Sequence, residues 1–446
     1  MKARCWFILG LLPACAPAQA PLAVSSPLRL SLKRAVEIAT SPEGSAKIQL
    51  SSEAIKQAKT RSAQARAALL PNLDAYVGDQ SLTRNLAAMG ISLTVPIPGF
   101  QFPTLVGPFT VFDARTTLSQ NIFDFSSIRR FQASRVGIKA AEAEDANAHD
   151  QVAAQVAKTY IAALRAEADV EAVNANINLA EAVLKLAQNQ KAAGTGTGIE
   201  ITRAQVQLSN EKQRLLVAEN QSRGARLQLL RAMGLRLDTP IELADRLEFI
   251  PVDAVTLEQA KAEALKSRKD LQAQREREQN ARLASSATTM ERLPSVAGFA
   301  DYGSIGTGLG NALPTRTYGI SVRVPIFDGG RRDARRAEAA SQYHQERIRS
   351  NDLKEQVDLD IRLALDSLAS ATEQVKVAEE GLGLAENELT QARRRYEAGV
   401  TSSLEVTDAQ TRLERARDNR TAALFNYNQA RIDLAQATGT IQRIIQ

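Results

Sequence analysis

The sequence predicts a mainly α-helical chain with a small β part, built twice from one structural unit. Three observations support this prediction: a repeated motif, a shared apolar periodicity around both copies, and long proline-free segments alternating with strand-like pairs. The motif runs Gly194-Thr-Gly-Thr-Gly-Ile-Glu200-Ile-Thr-Arg-Ala-Gln205 and returns as Gly399-Val-Thr-Ser-Ser-Leu-Glu405-Val-Thr-Asp-Ala-Gln410. A chain duplicated in this way builds two similar units that pack together.

The first 20 residues have the composition of an export signal. A charged start precedes an apolar run from Cys5 to Leu12, and Ala18 or Ala20 suits cleavage. A second interpretation stays open, because Leu12-Pro-Ala-Cys15 resembles a lipoprotein cleavage box in which Cys15 would be lipidated. Both cysteines of the chain lie in this segment, so we expect no structural disulfide in the mature protein.

The two units are predicted to span residues 30–234 and 255–439, joined by a polar linker over 235–255. Apolar or small residues around each motif recur at spacings of three and four residues. These spacings form the seam of a coiled coil. Gly234 and Gly439 are placed as C-caps that end each unit.

Six segments are predicted to be long helices, because they lack internal proline and are rich in Ala, Glu, Gln, Arg and Leu. They are 45–69, 127–193, 199–233, 256–291, 330–397 and 404–438. At 1.5 Å per residue, the second and fifth would each reach about 100 Å, roughly twice their neighbours. These lengths therefore predict that each unit contains one long helix, which runs antiparallel to two shorter helices stacked end to end.

Two β-hairpins are predicted, from 72–80 with 109–122 and from 294–303 with 316–327. In the last strand Tyr318, Ile320 and Val322 alternate with polar residues, as expected for a strand with one apolar face. Four strands cannot close a barrel, and lipid does not tolerate an open sheet edge. Several chains must therefore share a barrel: two would supply eight strands and three would supply twelve.

Charge and composition argue against a nucleic-acid-binding protein, and the lack of a Ser-His-Asp set, a phosphate loop or a metal-ligand cluster in the sequence argues against an enzyme. The net charge is +6, but acidic and basic residues are interspersed along the helices, and aromatic residues make up only 4% of the chain. The glycine-rich segment 194–198 follows a helix rather than a strand, so it is not a nucleotide loop. We expect no enzymatic activity, no cofactor, no metal site and no nucleic-acid partner.

Together these features resemble the TolC family of outer-membrane efflux and secretion channels. The most specific motifs are the duplication itself and Tyr396-Glu-Ala-Gly399 followed by Leu404-Glu-Val-Thr-Asp-Ala-Gln410, and the resemblance covers nearly the whole mature chain. It implies a homotrimer, in which a periplasmic α-barrel joins a shared 12-stranded β-barrel in the outer membrane. The implied partners are outer-membrane lipid, a periplasmic adaptor and an inner-membrane transporter. The alternative is a periplasmic coiled-coil adaptor or structural protein of an envelope transport complex, since adaptors also carry Ala- and Glu-rich hairpins.

The resemblance also implies where the pore entrance lies. Glu405 and Asp408 match acidic positions that ring it, and Glu200 matches an acidic position in the first unit. Arg203 is the repeat partner of Asp408, so the two units would contribute opposite charges at that level. A plainer alternative is that these acids stabilise helix N-termini.

The helix turns at the periplasmic tip are the implied contact surface for the adaptor. The matching residues are Gly194, Gly196, Gly198, Tyr396, Gly399 and Thr401. Some family members have a latching arginine at the position of Thr401, so that latch is not expected here. Because the first turn has three glycines, Gly194 is predicted to be more replaceable than Gly399. The Pro- and Phe-rich stretch 95–108 would face outside the cell.

Overall fold

The computed structural model describes residues 27–91, 103–253 and 255–445. The predicted signal segment with Cys15, and residues 95–102 of the predicted outer stretch, lie outside the described residues. The helices are α1 (Leu32–Ala39), α2 (Ala46–Ala67), α3 (Phe125–Ala192), α4 (Gly198–Met233), α5 (Leu257–Ser267), α6 (Lys269–Met290), α7 (Arg331–Glu397), α8 (Ser403–Thr438) and α9 (Ile441–Ile445). The strands are β1 (Leu28–Leu30), β2 (Asn72–Asn85), β3 (Leu105–Phe123), β4 (Ile241–Leu243), β5 (Ser295–Gly306) and β6 (Leu313–Arg323).

Each unit is built around one long helix, α3 with 68 residues and α7 with 67. The helix α3 packs against α2 and α4, and α7 packs against α6 and α8. The two short helices of each unit meet end to end, as the sequence predicts. Gly234 ends α4 with a φ of 76°, and a Cβ there would lie 2.7 Å from the carbonyl oxygen of Gly44, just before α2. Gly439 ends α8 in the same way beside Arg268.

The two units join through α3, which also contacts α6 and α8. Near the turns the packing order is α4, α3, α8, α7, and near the sheet it is α2, α3, α6, α7. The helix α7 is therefore one edge of the layer along its whole length, and α4 and α2 share the other edge. Within the described residues, no helix is both long enough and apolar enough to cross a membrane.

The predicted helix 256–291 is in fact two helices, and Arg268 is the reason. Its backbone is extended, with φ −65° and ψ 121°. Its guanidinium pairs with Asp270 at 2.6 Å and with Asp360 at 3.2 Å, and it also donates to the carbonyl oxygen of Ala437 at 3.2 Å. No glycine or proline marks this break in the sequence, and two of the three contacts that stabilise it come from α7 and α8.

The middle of the molecule is held by short elements that periodicity does not reveal. Strands β1 and β4 pair in parallel and connect the start of the described chain to the segment between the units. The hydroxyl of Tyr160, which has one proton to donate, lies within hydrogen-bond distance of two acceptors: the carbonyl oxygen of Leu30 at 2.8 Å and the Asp245 carboxylate at 2.9 Å. Burial and, next, Asp245 raise the pKa of Tyr160. A neutral tyrosine at this position therefore fastens the linker to α3.

The four longer strands form one antiparallel sheet in the order β2-β3-β5-β6, so its central pair comes from different units. The predicted last strand ends at Arg323 rather than at 327, because Pro325 has no backbone N–H to continue the ladder. One face of the sheet is apolar and exposed, and Tyr318 on it is 79% exposed. The register places these side chains on that face: Leu73, Val77, Ala114, Leu118, Tyr318, Ile320 and Val322.

The opposite face of the sheet is polar. Arg115 there donates to the carboxylate of Asp113 at 2.8 Å and lies 3.9 Å from the carboxylate of Asp301. Thr117 and Ser119 continue this face along β3. The sheet thus has one face suited to hydrocarbon and one suited to water.

Candidate functional site

Both long helices reverse direction through the same backbone turn, at the end of the molecule far from the sheet. Gly194 follows α3 with a φ of 76°, and Gly399 follows α7 with a φ of 71°. The backbone N–H that follows each glycine bonds to a carbonyl oxygen five residues back. Thr195 donates to the carbonyl oxygen of Gln190 at 3.0 Å, and Val400 donates to that of Arg395 at 3.0 Å. These bonds satisfy carbonyl groups that the helix end leaves free.

The three glycines of the first turn are not interchangeable. Only Gly194 has a positive φ. A Cβ at Gly196 would lie 2.9 Å from the backbone nitrogen of Lys191, whereas one at Gly198 would make only ordinary contact. The structure therefore removes the reason to expect Gly194 to be more replaceable than Gly399.

Glu200 and Glu405 both bond to their own turns. The backbone N–H of Thr197 donates to the Glu200 carboxylate at 2.9 Å, forming a capping box at the start of α4. The Glu405 carboxylate accepts from Arg395 at 2.7 Å and from the hydroxyl of Thr401. These are the helix-start contacts of the plainer interpretation, and Thr401 contributes one of them.

Asp408 and Arg203 differ from these two glutamates. Both side chains are exposed, and they stand one turn further into α8 and α4. Among the described residues, neither takes part in an ion pair. Of the four predicted entrance residues, they are therefore the two whose charges remain open to solvent and to passing ions.

Tyr396 links the two hairpins beneath the turns. It is buried in an apolar cluster with residues of α3, α4, α7 and α8, and Gln190 donates to its carbonyl oxygen at 3.3 Å. Its buried hydroxyl has no hydrogen-bond partner among the described residues. Burial, and then the negative charge of Glu200, raise the pKa of Tyr396. The fold thus brings the acid of one turn close to the tyrosine of the other.

A second group of charges was not predicted. It lies on α4 and α8, further from the turns than Arg203 and Asp408. Arg214 of α4 pairs with Asp418 at 3.2 Å and with Glu414, both on α8, and with Glu211 at 3.7 Å. Glu211 is 2% exposed, and burial, then nearby Asp418, raise its pKa against a lowering by Arg214. In the sequence these residues look like ordinary solvated helix faces. Only the approach of α4 to α8 brings them together.

Solved structures of bacterial channels share this fold. The outer membrane channel CmeC of Campylobacter jejuni superposes with a TM-score of 0.78 at 16% identity, covering 92% of this chain and 85% of CmeC. The outer membrane protein VceC of Vibrio cholerae gives a TM-score of 0.76 at 20% identity, covering 92% and 96%. The chain therefore has the fold of these outer membrane proteins.

The sequence comparisons identify the family. The family described as Outer membrane efflux protein matches residues 43–235 and 261–440, and the chain belongs to it. The pyoverdine export outer membrane protein OpmQ of Pseudomonas aeruginosa is 24% identical over 407 residues, covering 86% of this chain and 80% of OpmQ. The proteases secretion protein PrtF of Dickeya chrysanthemi is 25% identical over 127 residues, only 28% of either chain.

These matches confirm the resemblance to the TolC family and the location in the outer membrane. The protein is an outer-membrane channel component of an efflux or secretion system. They favour this function over the alternative of a periplasmic adaptor. The family and the relatives are transport proteins.

Proposed function

We propose that three copies of this chain form one continuous conduit. Their sheets would close a 12-stranded barrel in the outer membrane, and their helical layers would close a tube in the periplasm. A periplasmic adaptor and an inner-membrane transporter would deliver solutes to the helix turns. The observation that carries this proposal is that the sheet and the helical layer are both open at both edges.

The sheet edges are the first part of the argument. The described sheet ends in β2 on one side and in β6 on the other. Its outer face is apolar, so these edges would lie in hydrocarbon, where unpaired backbone groups cost several kcal/mol each. Pairing β6 of one copy with β2 of the next satisfies both edges. Two copies would give eight strands, whose interior is filled by side chains, whereas three leave room for an aqueous bore.

The helical layer has matching unpaired edges. On α7, five exposed apolar residues lie along one stripe, separated by 11, 4, 14 and 7 residues, spacings that return to the same helix face. They are Ile348, Leu359, Leu363, Val377 and Leu384. On α4, exposed apolar residues follow a similar stripe: Ile199, Val206 and Val217. A second copy of the chain is the occupant that would cover both stripes at once.

The helix turns suit both an entrance and a docking surface. Val400 and Leu404 are exposed apolar residues at the second turn, and Ile199 is exposed at the first. Such side chains support docking of the adaptor on the tip. Threefold symmetry would gather three copies of Asp408 around one axis, and the repulsion between them favours bound cations.

Ion selectivity tests the entrance assignment. We expect the channel in planar bilayers to prefer cations, and Asp408→Asn to reduce that preference and raise the concentration of trivalent cation needed for block. Glu405→Gln should have the smaller effect, because Arg395 already pairs with Glu405. High salt should weaken both properties, since solvent-exposed charges are screened.

Arg203→Ala is the opposing variant in the same recordings. Removal of this positive charge should shift selectivity towards cations if it faces the bore near Asp408. A separate double variant carries Glu405→Ala and Asp408→Ala. If its ion selectivity and its block by trivalent cations are unchanged, both acids only stabilise helix starts and do not line the pore.

A further inference from the structure

Exposed apolar side chains mark the level at which the sheet meets the helices. Ile326 is 93% exposed and Phe327 is 87% exposed, just before α7. Phe123 and Phe125, at the start of α3, are also exposed and pack edge to face with ring centroids 4.5 Å apart. In an outer-membrane protein, aromatic residues at the end of the apolar strands lie at the boundary between hydrocarbon and headgroups.

Arginines follow directly on the helical side of this boundary. We call six exposed ones the arginine belt: Arg66, Arg130, Arg292, Arg331, Arg335 and Arg336. Two carboxylates at this level pair with part of the belt. Glu291 pairs with Arg130 and with Arg335, and Asp333 pairs with Arg292.

Three belt members keep their charge uncompensated. Among the described residues, Arg66, Arg331 and Arg336 form no ion pair. Only two carboxylates pair with the six arginines, while nearby Asp328 pairs with Arg332 outside the belt and Asp124 caps α3. The belt is therefore positive, and each further copy of the chain would repeat that excess around the ring. Charges of one sign held this close repel each other unless an anion lies between them.

A neighbouring copy cannot supply that anion. Ring closure would place α7 beside α2 of the next copy, since these are the two edges of the helical layer near the sheet. The second half of α2 carries Lys59, Arg61 and Arg66 and no acidic residue, and Glu53 in its first half already pairs with Lys56. The closed ring would thus add positive charge at this level.

We propose that the arginine belt binds the phosphate headgroups of anionic glycerophospholipids in the periplasmic leaflet of the outer membrane. This proposal rests on the proposed trimer, which sets the depth of the belt and brings α7 next to α2. Guanidinium groups match phosphate geometry through paired N–H donors. The exposed Ile326 and Phe327 would lie against the acyl chains below the same headgroups, so each lipid would meet an apolar and a cationic contact.

The test uses the full-length protein in nanodiscs made with equimolar phosphatidylglycerol and phosphatidylethanolamine. Native mass spectrometry first counts the chains and then measures which lipids stay bound. The wild-type protein should retain phosphatidylglycerol preferentially. In the double variant with Arg331→Gln and Arg336→Gln, this preference should fall about fivefold for each charge removed. The matched control with Arg393→Gln and Arg394→Gln removes equal charge from the far end of α7 and should keep the wild-type preference.

Three outcomes would overturn the proposal. One is an unchanged lipid preference in the belt variant. Another is an equal loss in the control variant, which would make the effect one of net charge. The third is displacement of phosphatidylglycerol by inorganic phosphate at matched ionic strength, which would make the site one for free anions. A wild-type protein that does not contain three chains would instead contradict the proposed trimer, which the first measurement reports separately.

Discussion

Glu211 and Asp408 are acidic residues on α4 and α8, the helices that follow the two turns, yet the fold gives them opposite environments. Asp408 is exposed near the turn, where its charge remains available to ions. Glu211 is buried, accepts from Gln207 at 2.8 Å, and has one carboxylate oxygen without a hydrogen-bond partner among the described residues. Burial removes water that would stabilise the ionised carboxylate of Glu211. Arg214 restores only part of that stabilisation, because Glu414 and Asp418 share the same arginine.

We expect Glu211→Gln to stabilise the assembled protein at neutral pH by about 1 kcal/mol, because a buried oxygen without a partner carries a desolvation penalty. The folded-state pKa of Glu211 is raised above its ordinary value of 4.5. Ionisation therefore opposes folding at neutral pH, and this penalty disappears as the pH falls below 4.5. Thermal unfolding measured from neutral to acidic pH should show the variant's advantage shrinking.

Glu219→Gln is the control for that measurement, since this residue lies on the same helix and its side chain is 43% exposed. It should change stability little at any pH. If Glu211→Gln instead destabilised the protein at neutral pH, the ion pair with Arg214 would outweigh the desolvation of the carboxylate.

At the scale of elements, the long helices were predictable and the short ones were not. The predicted helices 127–193 and 404–438 correspond to Phe125–Ala192 and Ser403–Thr438, because long amphipathic segments repeat their signal many times. The strand β1 has only three residues, too few for any periodicity. Arg268 interrupts a helical pattern through contacts with distant residues. The turn glycines were predictable from their motif, whereas the charges around Arg214 required knowledge of which helices meet.

The two turn glycines have nearly the same backbone conformation, so we expect them to respond alike to substitution. Gly399→Val and Gly194→Val should each strain a positive-φ position by about 1–2 kcal/mol per chain. No side chain lies within 4 Å of either Cβ position, so the strain is in the backbone alone. We expect assembly to persist while export in cells falls, because the turn and the adjoining apolar contact surface rearrange.

Gly198→Ala is the matched control for the turn variants, since its φ is not positive and its Cβ would meet open space or ordinary contacts. That variant should export at the wild-type level. Full export by Gly399→Val, with three chains still assembled, would show that the turn geometry does not matter for docking or opening.

At the scale of the whole molecule, the described chain has open edges, which the proposed trimer would close. Its sheet ends at β2 and β6, and its helical layer ends at α4 and α7. The sequence predicted this incompleteness from a strand count and from the rule that lipid excludes open edges. It could not predict which helices form the edges, because the order α4, α3, α8, α7 depends on how the two units pack.

The helix edges provide a direct test of the assembly. Val217 of α4 and Val377 of α7 are exposed apolar residues on opposite edges of one chain, each about twenty residues from its turn. Ring closure would bring Val217 of one copy next to Val377 of another, although the two cannot meet within one chain. We therefore expect the double variant with Val217→Cys and Val377→Cys to be linked by a short thiol-reactive reagent into dimers and trimers on a denaturing gel. Each single-cysteine variant should stay monomeric under the same conditions, which also controls for Cys5 and Cys15. A cross-link confined to one chain, or products that continue beyond three chains, would contradict a closed ring of three copies.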